Sequence, residues 1–179
     1  MMVSFPELSP VLAGQTVADL WPVTNWMLPA WLLLAILPRW KYTKWLTLVP
    51  PIFHSIIYAV IIIPLMMSSK ETADFTSLEG VFKLFQDPNA VFVGWIHYLA
   101  FDLLVGRAIC MDALERGASN LFYYCMVVPC LFCTCMLGPT GFLLYSIIRT
   151  IGLPAPTPKG NLEAKKKNKG KAPAKLKLY

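Results

Sequence analysis

His97, Tyr98 and Asp102 are three groups capable of proton chemistry, set in an otherwise apolar run. That run reads Gly94-Trp95-Ile96-His97-Tyr98-Leu99-Ala100-Phe101-Asp102-Leu103-Leu104-Val105-Gly106-Arg107. A charge at bilayer depth costs roughly 2.5–3.5 kcal/mol on insertion scales, so such a residue is ordinarily paired, turned into a bundle or functional. With His97 at zero on a helical wheel, Tyr98 falls near 100°, Asp102 near 140° and Trp95 near 160°, at about 100° per residue. Arg107 falls on roughly the opposite side, near the helix end, where it can snorkel to headgroups or pair with an acid. Tyr98 and Asp102 are four apart and within reach of each other. An apolar surrounding disfavours a charged carboxyl, and a general acid needs the protonated form. Asp102 and His97 are therefore a candidate proton-transfer pair. The competing reading, of equal weight on chemistry alone, makes Asp102 a hydrogen-bond hub between helices.

The elements that hold these groups follow from composition. The chain has 179 residues, of which 56% are hydrophobic and 15% charged, against about a quarter charged in soluble domains. Several apolar runs approach or exceed the roughly 20 residues that span a hydrocarbon core as a helix. Backbone groups in lipid must be paired within the segment, and the runs lack the alternation of a barrel strand. The expected fold is all-α: a polytopic membrane helical bundle of about four transmembrane helices and one short interfacial amphipathic helix. The expected spans are 20–37, 46–67, 91–111 and one within 121–151. Residues 1–19 form an N-terminal segment without the pattern of a cleavable signal, 20–152 the membrane domain, and 153–179 a disordered Lys-rich tail.

Between the spans the sequence is informative in places. Arg39, Trp40, Lys41, Tyr42, Lys44 and Trp45 make a basic, aromatic interfacial loop. Pro50-Pro51 kinks or delays the second span, in which His54 reads as a hydrogen-bonded helix contact. Thr76 and Glu79 have the spacing of a capping box. Leu78, Val81, Phe82 and Phe85 then recur at helical spacing, as in a helix lying in the interface. Asp112, Glu115 and Arg116 form a short polar link. Pro129 and Gly138-Pro139-Thr140-Gly141 interrupt the last apolar stretch. It is therefore either an interfacial approach with a kinked span or a broken helix. Four crossings put loop 39–45 and the tail on opposite sides, against the usual clustering of positive charge.

Several function classes are excluded. The sequence has no phosphate loop, nucleophile elbow or zinc-protease motif. Cys130, Cys133 and Cys135 read as small packing residues, because thiolates are costly within an apolar helix; no metal site is expected. Lys159 and Lys165, Lys166, Lys167, Lys169, Lys171, Lys175 and Lys177 supply half of the 16 basic residues. This tail has no aromatic interleaving. It reads as a solvated segment with weak attraction to membrane lipid, and no specific nucleic-acid binding is expected.

The run Trp95-Ile96-His97-Tyr98-Leu99-Ala100-Phe101-Asp102 resembles the small membrane proteins related to the plant abscisic-acid-deficient-four protein. Leu37-Pro38-Arg39-Trp40, Leu84-Phe85-Gln86-Asp87-Pro88 and Gly138-Pro139-Thr140-Gly141-Phe142-Leu143-Leu144-Tyr145 fit the same family, over about 26–151. Tyr98, Phe101 and Val105-Gly106 are closer to its bacterial and algal members. The resemblance implies a plastid membrane protein, in plants, that acts on xanthophylls and converts violaxanthin to neoxanthin. That isomerisation opens a 5,6-epoxide and forms an allene without net redox change, and no cofactor is implied. Its chemistry points to Asp102 and His97 as catalytic residues with Tyr98 as hydrogen-bond donor. Trp95, Phe101 and Arg107 are the expected substrate contacts, and the carotenoid would arrive from the bilayer; protein partners are not indicated. A rival reading is a non-catalytic pigment- or lipid-binding subunit in which His97 ligates chlorophyll magnesium. A third is a structural bundle with a polar hub.

Overall fold

The computed structural model describes residues 10–68 and 74–155. Most of the expected N-terminal segment and nearly all of the expected tail lie outside the described residues. Within them every regular element is helical, and three helices are long and apolar enough to cross a membrane: Thr43–Met67, Pro88–Glu115 and Asn120–Leu137.

The expected first span is a composite. Helix α1 (Val17–Leu20) runs through a 3-10 segment (Trp21–Met27) into α2 (Leu28–Ile36). Pro22 and Pro29 fall in first turns, where a missing N–H removes no bond. The tighter middle segment has a partner. His54 of α4 (Val49–Ser68) is fully buried and places Nε2 3.1 Å from the Val23 carbonyl and Nδ1 2.8 Å from the Pro50 carbonyl. This is the helix contact expected of it. Helix α3 (Thr43–Leu46) precedes α4, which starts only after a turn at Thr47 and Leu48 and carries Pro50 and Pro51 in its first turn.

The amphipathic helix exists as α5 (Leu78–Leu84), with Leu78 and Phe82 exposed and no residue buried. Its cap differs from the expected Thr76–Glu79 box. Ser77 is the N-cap and accepts from the Gly80 N–H at 3.1 Å. Asp74 takes the organising role, accepting from the Thr76 N–H and from the Thr76 and Ser77 hydroxyls. Asp lies three residues before the Ser, and its two oxygens bind more donors than a Glu one turn into the helix.

Helix α6 (Pro88–Glu115) is the axis of the bundle. Asp87 caps it, accepting from Asn89 N–H at 2.8 Å, and Pro88 opens its first turn. At 1.5 Å per residue it is about 42 Å long, more than the roughly 30 Å of a hydrocarbon core. The expected polar link at 112–116 is its continuation. The composite first helix runs parallel to it: Trp21 stacks on Trp95, the Trp31 ring lies on Gly106, and Arg39 donates to the Ala118 carbonyl. Helix α4 runs antiparallel, with Tyr58 beside His97 and the Lys44 carbonyl beside Arg107.

The last stretch is a broken helix that reverses. Helix α7 (Asn120–Phe122), a wider π turn (Tyr123–Val127) and α8 (Val128–Leu137) form one rod, and α9 (Pro139–Gly152) returns along it. Gly138 makes the reversal at φ +51°, a value few other residues adopt. Gly141 lets the two rods touch: a Cβ there would stand 2.2 Å from the Thr134 nitrogen and 2.5 Å from the Cys130 carbonyl oxygen. At the open end of this hairpin the Phe122 ring lies against Gly152, and Arg116 donates to the Pro154 carbonyl. The chain thus comes back to the side of loop 39–45, which removes the charge conflict expected from four simple crossings.

Candidate functional site

The α8–α9 hairpin reaches only part of the way along α6. Its open end lies by Arg116, and its tip, Gly138, meets Asp102 at the middle of α6. A Cβ on Gly138 would stand 3.1 Å from Asp102 Oδ1. Beside the hairpin, α6 is sealed, with Ile109, Cys110 and Ala113 almost wholly inaccessible. Beyond the tip, one face of α6 is open. It carries Leu104, His97, Phe101, Tyr98, Asp102 and Trp95 in an arc of about 180°. Trp95 is 45%, Tyr98 61% and Phe101 55% exposed. Tyr58 of α4 borders this face at one edge and Trp21 at the other.

The side chains on the face have distinct surroundings. The His97 ring is stacked on Phe101 at 4.6 Å, an i, i+4 pair, and is tilted against Tyr58 at 5.6 Å. Asp102 is half-buried and has no hydrogen-bond or ion-pair partner among the described residues. It also lies where α9 begins, the positive end of that helix's dipole.

The structure brings five of the six expected site residues, Trp95, His97, Tyr98, Phe101 and Asp102, to one face. It does not bring His97 and Asp102 into contact, since they lie about 140° apart around the helix and about 7.5 Å apart along it. Tyr98 and Asp102, although four apart, share no hydrogen bond among the described residues. Arg107 lies off the face: its Nε and Nη2 donate to the Lys44 carbonyl at 3.3 and 3.1 Å, bracing α6 against the start of the second span. Sequence reasoning missed Gly138, Tyr58 and Trp21 as neighbours of the site. Gly138 had a signal, the Gly-Pro pair; Tyr58 and Trp21 had none, because their places depend on how helices pack.

Next to Leu104 the open face passes into an apolar groove of about 380 Å³, lined by Pro51, Ile52, Ser55, Ile56, Ala59 and Val60 of α4. The groove has one hydroxyl, and Ser55 donates that to the Pro51 carbonyl at 2.7 Å. It therefore suits a hydrocarbon.

These features define a class: a helical membrane protein with an unpartnered carboxyl at the midpoint of its longest helix, beside a helix break and at the edge of an open face. The ABA DEFICIENT 4-like family model matches residues 20–145, and the chain belongs to that family. No curated protein and no solved structure matches it.

Proposed function

We propose that this protein is an integral membrane isomerase of carotenoid metabolism that converts a xanthophyll epoxide to an allenic alcohol, as in violaxanthin to neoxanthin. The observation that carries the reading is the lone Asp102 carboxyl on a face open to the bilayer at mid-helix. Family membership supplies the substrate class. The substrate's polyene lies in the apolar groove of α4, and its epoxide end group rests on the aromatic face between His97 and Asp102.

The reaction needs two proton movements. His97 accepts the proton from C7 of the substrate while the C6–O bond breaks, and the C7–H electron pair becomes the second double bond of the allene. Asp102 gives a proton to the departing oxygen, which stays on C5 as a hydroxyl. The substrate is isomerised with no gain or loss of electrons, and proton exchange between base and acid resets the site. The separation of His97 and Asp102 suits this, because the two groups serve different substrate atoms. Tyr98 donates a hydrogen bond to the oxygen, and Trp95 and Phe101 hold the ring and polyene. A full crossing by the composite first helix, beside those of α4 and α6, and a plastid location in photosynthetic eukaryotes complete the proposal.

Expression in a violaxanthin-accumulating host tests it through the chromatographic pigment profile. A new allenic isomer is expected with the native chain and not with Asp102→Asn. An unchanged profile from well-folded native protein overturns the reading. Chlorophyll absorbance that co-purifies and is lost in His97→Ala would replace it with the pigment-binding subunit.

A further inference from the structure

The two ends of the bundle differ in charge. Arg39, Lys41, Lys44, Arg107, Arg116 and Arg149 share one end, with Asp112 and Glu115 as the acids there among the described residues. Asp19, Asp74, Glu79 and Asp87 lie at the other, with Lys83 as the base among the described residues. The cations of the basic end fall into two groups. Its arginines are engaged: Arg39 on the Ala118 carbonyl, Arg107 on the Lys44 carbonyl, Arg116 on Asp112 and the Pro154 carbonyl, and Arg149 on Asp112. Lys41 and Lys44 have no carboxylate partner among the described residues; each ammonium lies over the next ring, 4.6 Å from Tyr42 and 5.2 Å from Trp45. Trp40, Tyr42 and Trp45 are themselves exposed, and Trp40 meets Tyr42 edge-on.

We propose that loop 39–45 is a docking surface for anionic phospholipid headgroups, and that it fixes the chain with this end toward the cytoplasmic or stromal leaflet. The physical case has three parts. Indole and phenol rings favour headgroup depth, and short loops with excess Lys and Arg stay on the cytoplasmic side of a membrane. Asp112 is already neutralised by two guanidiniums, so the net charge left at this end is positive, and Lys41 and Lys44 are its cations without a hydrogen-bond partner among the described residues. The hairpin also returns the chain to this end, where the described residues finish at Ala155. Half of the basic residues follow in sequence.

Two measurements on the full chain test this. For orientation, alkaline phosphatase or a fluorescent protein is fused after Tyr179 in a bacterial inner membrane. A fluorescent fusion with a silent phosphatase is expected; an active phosphatase overturns the orientation. For lipid binding, the purified chain is offered phosphatidylglycerol or phosphatidylcholine and the retained lipid is counted by native mass spectrometry. Preferential retention of phosphatidylglycerol is expected. Lys41→Gln with Lys44→Gln should lower it by about 25-fold, each lysine near an anionic surface being worth about fivefold. Both side chains are exposed, so the variant should melt with the native chain. Lys165→Gln, Lys166→Gln and Lys167→Gln together should leave most of the preference in place. Equal retention of the two lipids, or loss only in the tail variant, refutes the docking surface.

Discussion

Helix α6 carries two aspartates ten residues apart, and they are treated in opposite ways. Asp112 is saturated: its Oδ2 accepts from Tyr145 at 2.6 Å, from Arg116 at 2.8 Å and, more weakly, from Arg149 at 3.4 Å. Two elements meet at it, the end of α6 through Arg116 and α9 through Tyr145 and Arg149, and it pins the open end of the hairpin to α6. Asp102 has none of this. The hairpin ends at it, and glycine stands where a donor side chain would be. A structural acid in a membrane bundle collects partners, because an unmatched one is expensive in hydrocarbon. The contrast teaches that the fold is able to satisfy an acid on this helix and does so once. The other is left available.

Four changes sharpen or break that contrast. The largest effect is expected from Asp102→Asn: insertion and melting are retained while turnover falls by at least 10²-fold, the usual scale for losing a general acid. Pigment chromatography beside a thermal melt reads both. If instead Asp102→Leu stabilises the protein and the native chain shows no turnover, the unpartnered carboxyl has no chemical use and the contrast between the two aspartates carries no functional meaning. Asp112→Asn should do the reverse, costing about 1.5–3 kcal/mol through lost hydrogen bonds to charge, seen as a lower Tm with residual activity in the folded fraction. Gly141→Ala tests the hairpin that separates the two environments. Its methyl group would enter backbone, so about 1–3 kcal/mol of stability should go, and Asp102 should become more accessible to solvent exchange.

The smallest effect is at the far end. Asp74 sits on two hydroxyls and an N–H outside the membrane spans, and these hold its carboxyl down at about 2. Its folded value lies below the unfolded 3.8, so its contribution is present above that pH and fades as pH falls toward 2. The protection factor of the Gly80 amide, which corrects for the intrinsic change of exchange with pH, should fall over that window while those in α6 hold.

Much of this was readable from residue order. The second and third spans, expected at 46–67 and 91–111, lie within or close to the helices Thr43–Met67 and Pro88–Glu115, because apolar length alone marks them. The face of His97, Tyr98 and Asp102 followed from helical spacing. The reversal at Gly138 did not. A Gly-Pro pair marks a break, but its angle is set by Gly141 meeting Thr134 and Cys130 across the turn. The ligands of Asp112 were equally hidden, since Tyr145 and Arg149 lie more than 30 residues away in sequence. Cap assignment failed by one residue at Thr76 because Asp74 accepts from the Thr76 N–H and from the Thr76 and Ser77 hydroxyls while Ser77 takes the Gly80 N–H, and sequence spacing does not show that arrangement.

The hairpin that stops at mid-height also decides how the site is supplied. On the proposed function, a substrate that slides sideways through acyl chains reaches Asp102 without leaving the bilayer, and the quantity that governs its binding is then a surface density. Saturation should then track the mole fraction of pigment in lipid: adding empty vesicle lipid that fuses with the sample slows turnover, whereas diluting the same vesicles with buffer leaves it unchanged.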